Sequence, residues 1–299
     1  MDVTFRVPTR VLYGRSAGPH LLITGGVHGD EFEPMAAIRR LAGLLAEGDF
    51  CGRVTLVPVA NEAAFRRGAR LAEDSLDMAR AFPGRPDGTI TEKAAHQITT
   101  LIRTADYYID LHTGGTALRL LPLAGYMLHR DPAVLAIQRR MAHAFNFPVV
   151  WGTDWRLEGR SLSAARDAQV PAIYVEYRGG AMCRPEGVNA LVEGCLNVMG
   201  VLEMCNRPAP SNGVRYVVED ERPGSGHLQT QHPSPMAGFF LPCVRLEDRV
   251  NRGDVLGEVC DELGDTVYQI TAKQSGIVLA LRVLPRVNQG DALAVILET

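Results

Sequence analysis

The residue types best suited to chemistry in this chain occur in the segment Thr24–Pro34, TGGVHGDEFEP. His28 and Glu31 lie three positions apart, directly after the apolar run Leu21–Ile23. The run predicts a buried strand, and the glycines around His28 permit a sharp turn where that strand ends. An imidazole and a carboxylate that converge there are suited to zinc. In the alternative interpretation, His28 is a hydrogen-bonded loop residue and Glu31 a first-turn helix acid favoured by the helix dipole.

A second histidine, His112, follows another short apolar run in the segment Tyr107–Thr113, YYIDLHT. Two histidines and one glutamate that leave a fourth position open form the ligand set of catalytic rather than structural zinc. The sequence therefore indicates His28, Glu31 and His112 as candidate metal ligands.

Composition restricts the kind of protein. The 299 residues are 46% hydrophobic and 22% charged, which is ordinary for a globular protein. A formal net charge of −3 gives no electrostatic reason to expect nucleic acid or an anionic membrane as partner. No apolar run is long enough to span a membrane, and Met1–Arg6 lacks the apolar core of a signal peptide. The six cysteines include no CxxC pair, so we expect reduced thiols in a cytoplasmic protein.

Strand-like and helix-like segments alternate over the first two thirds of the chain. This alternation predicts an α/β fold, in which a mixed central sheet is flanked by helices on both faces. In such a sheet the ends of the strands carrying His28 and His112 would form a ligand site. The predicted strands are Leu21–Thr24, Val54–Val59, Tyr107–Leu111, Leu120–Leu128 and Ala172–Tyr177. The predicted helices are Pro34–Ala46, Thr91–Arg103, Pro132–Phe145 and Val188–Met204.

A change of composition near residues 206–213, NRPAPSNG, indicates a domain boundary. We predict a catalytic domain over residues 1–210 and a small, barrel-like all-β domain over residues 211–299. Short β-rich runs separated by Gly-Asp turns support the second domain. These runs are Arg215–Val218, Gly238–Leu241, Val255–Val259, Val267–Ile270, Ile277–Val283 and Ala292–Leu297.

Two further segments bear on the site. Residues 61–84 carry several arginines, and a guanidinium matches a carboxylate bidentately. Glu176 ends the apolar strand Ala172–Tyr177, where a buried acid is costly unless it has a partner or a task. Strand alternation would place Glu176 and Arg178 on the same side, so a salt contact between these two residues is the alternative to a catalytic role.

The order of these motifs resembles the succinylglutamate desuccinylase/aspartoacylase family over residues 20–205. It runs GGxHGDE, NxxA, an arginine, DxxRxFPG, DLHTGG and a strand-end VE. The family consists of zinc-dependent amidohydrolases related in fold to the zinc carboxypeptidases. The resemblance implies one zinc ion per chain, bound by His28, Glu31 and His112.

The same resemblance assigns roles to three further residues. It implies that Arg70 polarises the scissile carbonyl, that Arg80 binds the substrate carboxylate, and that Glu176 is the general base. One position departs from the commoner family pattern, because Ala79 stands where asparagine usually precedes the second arginine. Alanine cannot donate the hydrogen bond that asparagine gives the substrate, so the resemblance does not transfer a specific substrate.

We therefore expect a zinc-dependent deacylase that hydrolyses the amide of an N-acyl amino acid, a small-molecule substrate. Zinc would lower the pKa of its bound water towards roughly 7, and Glu176 would take the proton. Asp110 is a candidate to orient His112, and Arg119 and Arg178 are candidates to bind a charged substrate end.

Other interpretations remain open at this point. The chain could be a carboxypeptidase acting on a small or modified peptide, or a metal-binding relative without catalysis. The C-terminal segment resembles a biotinyl/lipoyl barrel, but the hairpin at residues 261–265 holds no lysine and Lys273 falls outside it. We expect that segment to pack over the rim of the site or to contribute to a homo-oligomer.

Overall fold

The computed structural model of the chain describes residues 6–228 and 231–299, which form two β-sheets and six α-helices. The strands are β1 (Arg10–Tyr13), β2 (Ser16–Gly25), β3 (Cys51–Val57), β4 (Tyr107–His112), β5 (Leu118–Met127), β6 (Val149–Thr153), β7 (Ala172–Gly179), β8 (Tyr216–Glu219), β9 (Gly238–Pro242), β10 (Arg249–Val250), β11 (Val255–Cys260), β12 (Val267–Thr271), β13 (Gly276–Arg282), β14 (Arg286–Val287) and β15 (Ala294–Leu297). The helices are α1 (Phe32–Leu44), α2 (Glu62–Arg67), α3 (Ile90–Ile102), α4 (Pro132–Phe145), α5 (Ser161–Asp167) and α6 (Pro185–Val201).

The larger sheet has eleven strands and is mixed. Its main path runs β1-β3-β2-β4-β7-β5-β13-β10, while β15 pairs with β13 and the pair β6-β8 extends from β5. Strands β3, β2, β4 and β7 are parallel neighbours, and β5 is antiparallel to β7. The second sheet, β12-β11-β9-β14, has four antiparallel strands and lies entirely in the C-terminal third of the sequence. The predicted α/β class, with a mixed sheet and a small C-terminal β structure, is confirmed.

Helices cover both faces of the large sheet, because successive side chains of a strand point to opposite faces. On β2, Leu21 and Ile23 pack in one core with α1, α4 and α6, whereas Leu22 packs in the other core with α3 and α5. All three side chains are fully buried. The continuous apolar run of a central parallel strand thus supplies two cores at once.

Helix starts follow the local sequence signals. Thr89 caps α3 in a capping box with Glu92, and Pro132 occupies the first turn of α4 after the capping Asp131. Strands β1 and β6 and helices α2 and α5 were not predicted. They are four to seven residues long, too short for a hydrophobic period to distinguish them.

The C-terminal third contributes strands to both sheets. β8 runs parallel to β6, and β13 is antiparallel to β5 with Ala280 opposite Leu120. The boundary after residue 210 stays a prediction, but residues beyond it complete the sheet that carries the candidate site. No helix among the described residues is long and apolar enough to cross a membrane.

Candidate active site

Three neighbouring parallel strands bring the predicted site residues together. His28 follows β2, His112 ends β4, and Glu176 on β7 is the register partner of His112. Carboxyl ends of parallel strands share one edge of the sheet, where ligands bind in open α/β folds. The turn after β2 needs a residue without a side chain, since a Cβ on Gly29 would lie 2.1 Å from the carbonyl carbon of Ala64.

The side chains of His28, Glu31 and His112 form a compact buried group, called here the ligand cluster. Each offers one ligand atom, and these atoms all lie within 4.8 Å of one another. Glu31 lies between the two rings: its Oε1 is 2.7 Å from Nδ1 of His28, and its Oε2 is 3.1 Å from Nδ1 of His112. All three residues are at least 93% buried, since their exposed fractions are 4%, 1% and 7%.

Each histidine of the ligand cluster also faces a second carboxylate through its other ring nitrogen. Nε2 of His28 lies 3.2 Å from Oδ1 of Asp77, and Nε2 of His112 lies 3.1 Å from Oδ2 of Asp110. Such an arrangement fixes the tautomer and orientation of histidines that bind a metal through their remaining nitrogen. The suggested role of Asp110 as an orienting carboxylate thus has the required geometry. Asp77 occupies the equivalent place for His28, which the sequence did not indicate.

Asp110 is itself held in place by two hydroxyl donors. Thr24 donates to its Oδ1 at 2.7 Å, and Ser161 donates to its Oδ2. Burial alone would raise the pKa of Asp110, but the neighbouring His112 and these hydrogen bonds outweigh it and lower the pKa. The carboxylate is therefore ionised and fixed.

The charge balance of the ligand cluster fits a cation. Burial opposes ionisation of Glu31, yet the pKa of Glu31 is lowered because both imidazoles favour its charged form. Asp77 and Asp110 add two further carboxylates, and their pKa values are lowered as well. Buried carboxylates need a compensating positive charge, and a His₂Glu donor set with an open side is typical of catalytic zinc. The residues present therefore fit a zinc ion.

Glu176 lines the same cleft as the ligand cluster. Its Oε2 is buried and has no hydrogen-bond partner among the described residues. Burial raises the pKa of Glu176 to about 8, and the nearby Glu31 adds to that effect. A buried carboxyl group with an unpaired oxygen, beside a candidate metal site, is a candidate to exchange protons near neutral pH.

Arg70 and Arg80 also line the cleft, as the resemblance implied. Nη2 of Arg70 donates to Oδ2 of Asp77 at 3.1 Å, and its Nη1 lies 3.8 Å from Oε1 of Glu31. Arg80 is anchored through Nη1, which donates to the carbonyl of Ala79 at 2.6 Å. Both guanidinium groups thus face the cleft beside the ligand cluster.

The structure adds a third arginine that the sequence analysis missed. Arg160, at the N-cap of α5, lines the cleft. Its Nη atoms make long contacts of 3.4 and 3.5 Å to the carbonyl of Gly226 and one of 3.3 Å to Nδ1 of His227. Its buried Nε has no partner among the described residues. Burial, with the nearby Arg80, lowers the pKa of Arg160 to about 10. It stays charged at neutral pH, which suits an anionic ligand group.

Arg119 and Arg178 lie elsewhere. Both line a separate surface groove with Glu33 and Arg184 rather than the cleft that holds Glu176. The expected alternation fails because Arg178 adopts a left-handed conformation, with φ of 44°. A residue in that region departs from extended geometry, so its side chain leaves the face that Glu176 occupies.

Polar and apolar side chains contribute about equally to the lining of the cleft. The empty space at the cleft, including the part open to solvent, is about 730 Å³. Apolar walls come from Val27, Phe82, Met127, Leu162 and Leu228. Leu228 belongs to the C-terminal part of the chain, so residues beyond 210 contribute to the cleft.

The chain matches a known protein family over most of its length. Residues 17–202 match the profile of the succinylglutamate desuccinylase/aspartoacylase catalytic domain. The chain belongs to this family. The resemblance that the sequence motifs indicated is confirmed.

The proteins similar to this chain include one named as a deacetylase and others named as succinylglutamate desuccinylases. The N-alpha-acetyl-L-2,4-diaminobutyric acid deacetylase of Halomonas elongata is 32% identical over 297 residues, which are 95% of this chain and 83% of that protein. The product-bound ectoine utilization protein EutE (DoeB) of Ruegeria pomeroyi superposes with a TM-score of 0.89 and 29% identity, over 98% of this chain and 89% of that one. A succinylglutamate desuccinylase/aspartoacylase of Rhodobacter sphaeroides gives a TM-score of 0.85 and 29% identity, over 98% and 88%.

Proposed function

We propose that this family member is a zinc-dependent deacylase that hydrolyses the amide bond of a small N-acyl amino acid. The observation that carries the proposal is that the buried ligand cluster and the unpaired carboxyl oxygen of Glu176 line one cleft. The relatives named as a deacetylase and as desuccinylases support amide hydrolysis as the reaction class.

His28, Glu31 and His112 would hold one zinc ion per chain. Bound zinc supplies a Lewis acid that polarises a carbonyl and acidifies water. Asp77 and Asp110 keep the two rings oriented through their other nitrogens. The protein's contribution is a fixed and buried donor set.

Glu176 would move the proton. Its buried carboxyl group accepts a proton from the attacking water and delivers it to the nitrogen of the leaving amine, general base and then general acid. Because Oε2 of Glu176 has no competing partner among the described residues, that oxygen is available for the transfer.

The arginines that line the cleft would bind the substrate. Arg70, held by Asp77, is placed next to the ligand cluster and would donate to the oxygen of the scissile carbonyl, where negative charge develops. Arg80 and Arg160 would bind a carboxylate of the amino acid, since guanidinium groups match carboxylates bidentately. Ala79 also lines the cleft and donates no side-chain hydrogen bond, so Arg160 would share the carboxylate with Arg80. Arg119 and Arg178 are left out of this substrate-binding set because they line the other groove.

The proposal is tested with purified protein of measured metal content. Amine release is followed on a panel of Nα-acetyl and Nα-succinyl amino acids that includes Nα-acetyl-L-2,4-diaminobutyrate. We expect one substrate to be hydrolysed far faster than the others, activity to disappear on chelation, and zinc to restore it. If the protein held one zinc ion per chain but released amine from no substrate of the panel, the deacylase proposal would be contradicted. Hydrolysis of short peptides in that case would indicate a carboxypeptidase.

A further inference from the structure

The groove that holds Arg119 and Arg178 is separate from the active-site cleft and is called here the second groove. Arg119 comes from β5, Arg178 from β7 and Arg184 from the N-cap of α6. Arg119 lies opposite Gly179 in the antiparallel pair, which places it beside Arg178. None of the three guanidinium groups has a hydrogen bond or ion pair within residues 6–228 and 231–299. The Cζ of Arg178 lies 5.9 Å from the centroid of the Tyr177 ring. Guanidinium groups gathered at one site repel one another, so an anion between them would be stabilised.

A buried acid lies at the floor of the second groove. Glu33, at the start of α1, is 2% exposed and lines the groove. Its Oε1 accepts a hydrogen bond from the backbone N–H of Arg184 at 3.4 Å. Its Oε2 is buried and has no hydrogen-bond partner among the described residues. A buried polar atom without a partner requires an explanation, such as a ligand, ion or water that satisfies it.

The backbone around the second groove is tightly constrained. Arg178, Gly179 and Gly180 have φ values of 44°, 121° and 83°. Gly180 and Ala181 both donate to the carbonyl of Gly115, at 2.7 and 2.9 Å. A non-glycine residue with positive φ persists only where the surroundings hold it, and such residues cluster at ligand sites. The turn thus directs the side chain of Arg178 into the groove.

One wall of the second groove is apolar. Met182, Val283 and Leu284 are 43%, 42% and 37% exposed and line it. The groove therefore offers cationic groups for an anion, an unpaired carboxyl oxygen for a cationic donor, and an apolar surface for a short carbon chain. A simple inorganic anion would use only the first of these features.

We propose that the second groove binds an acidic α-amino acid. Its carboxylates lie against the guanidinium groups of Arg119, Arg178 and Arg184, and its ammonium group donates to Oε2 of Glu33 at the floor. Arg178 and Arg184 are exposed, so their side chains can turn towards the carboxylates and open the floor to the ammonium. The excess of positive charge selects a ligand with two carboxylates over a neutral amino acid. The site does not depend on the reaction proposed for the cleft.

The experiment uses three probes and the whole 299-residue chain. Isothermal titration calorimetry at neutral pH compares L-aspartate with succinate, which lacks the ammonium, and with 3-aminopropanoate, which lacks one carboxylate. We expect L-aspartate to bind most tightly. The double variant Arg119→Gln/Arg178→Gln should have an affinity for L-aspartate and for succinate that is lower by about tenfold or more, since charge-assisted hydrogen bonds are lost.

Glu33→Gln makes the test specific. It should weaken the binding of L-aspartate and should not weaken the binding of succinate, because only L-aspartate carries the ammonium group that Glu33 binds. Arg80→Gln is the control for binding in the active-site cleft, which Arg80 lines. This variant should bind L-aspartate in the second groove with unchanged affinity. Thermal unfolding of each variant confirms that it is folded.

Several outcomes would overturn the proposal. Absence of heat at millimolar L-aspartate, or equal affinity in the arginine double variant, would show that the groove does not bind it. If Glu33→Gln lowered the affinities for L-aspartate and succinate equally, Glu33 would not bind the ammonium group. A change of oligomeric state in the double variant, without a change in L-aspartate affinity, would identify the groove as a protein interface instead.

Discussion

Nε2 of His28 lies 3.2 Å from Oδ1 of Asp77, and Oδ2 of the same carboxylate accepts a hydrogen bond from Arg70 at 3.1 Å. One carboxylate therefore positions both a candidate metal ligand and the arginine proposed to bind the scissile carbonyl. Asp77 is half-buried, and its pKa is lowered because His28 and Arg70 outweigh the cost of burial.

Asp77→Asn should weaken zinc binding by about 10- to 100-fold, the usual effect of removing a partner of a metal-bound histidine. Chelator competition measures the affinity. The control is Asp74→Asn, since Asp74 bonds the backbone N–H and hydroxyl of Thr91 and does not line the cleft. Equal zinc affinity in Asp77→Asn and the unaltered protein would show that Asp77 does not support His28.

Glu176→Gln should abolish proton transfer and leave zinc bound. General acid–base catalysis contributes about 10²- to 10⁴-fold, so kcat should fall in that range while metal content stays at the level of the unaltered chain. Glu258→Gln, an exposed position in the four-stranded sheet, is the matched control and should change neither quantity. Loss of zinc from Glu176→Gln would make Glu176 a ligand and contradict its role as base.

Arg80→Ala and Arg160→Ala should each raise KM for substrates with a free carboxylate. A hydrogen bond to a charged group contributes about 1.5–3 kcal/mol, which corresponds to roughly a 10- to 100-fold change. Substrates whose carboxylate is converted to an amide should be affected much less. Arg66→Ala removes an exposed arginine paired with Glu62 at 2.6 Å and serves as control. If free acids and amides respond equally, neither arginine binds the carboxylate.

The ion pair on β8 gives a stability prediction. Glu219 accepts hydrogen bonds from Nε and Nη2 of Arg139, each at 2.7 Å, and from the hydroxyl of Tyr126 at 2.5 Å. The guanidinium and the hydroxyl hold the pKa of Glu219 below its ordinary value of 4.5. The carboxylate therefore stabilises the fold above the pKa of the unfolded chain, and this contribution is lost as the pH falls through the folded-state pKa.

Glu219→Gln should consequently lower the free energy of unfolding at pH 7 by about 1–3 kcal/mol. The difference from the unaltered chain should shrink as the pH falls below 4.5. Urea unfolding at a series of pH values measures it, with the exposed Glu262→Gln as control. A difference that does not depend on pH would assign the loss to packing rather than to charge.

The sequence by itself determined the family and the class of fold. An apolar run or period can be recognised within a short segment of sequence. The strands that precede or carry His28, His112 and Glu176 were therefore predictable, and so was the α/β arrangement. The identity of the ligand cluster followed from residue types at the ends of those strands. The family motifs then assigned Arg70 and Arg80, and the structure places both in the cleft.

Tertiary structure decided what depends on contacts between distant segments. Asp77 stands 49 positions after His28 in the chain, and only packing brings the two side chains together. Packing likewise brings Arg160 into the cleft, where it lies beside Gly226 and His227. The positive φ of Arg178 overrode the strand alternation, because the turn of Gly179 and Gly180 is held by hydrogen bonds to Gly115. Local sequence specifies which groups a segment carries, whereas their partners are set by close-packed contacts that form only when the whole chain has folded.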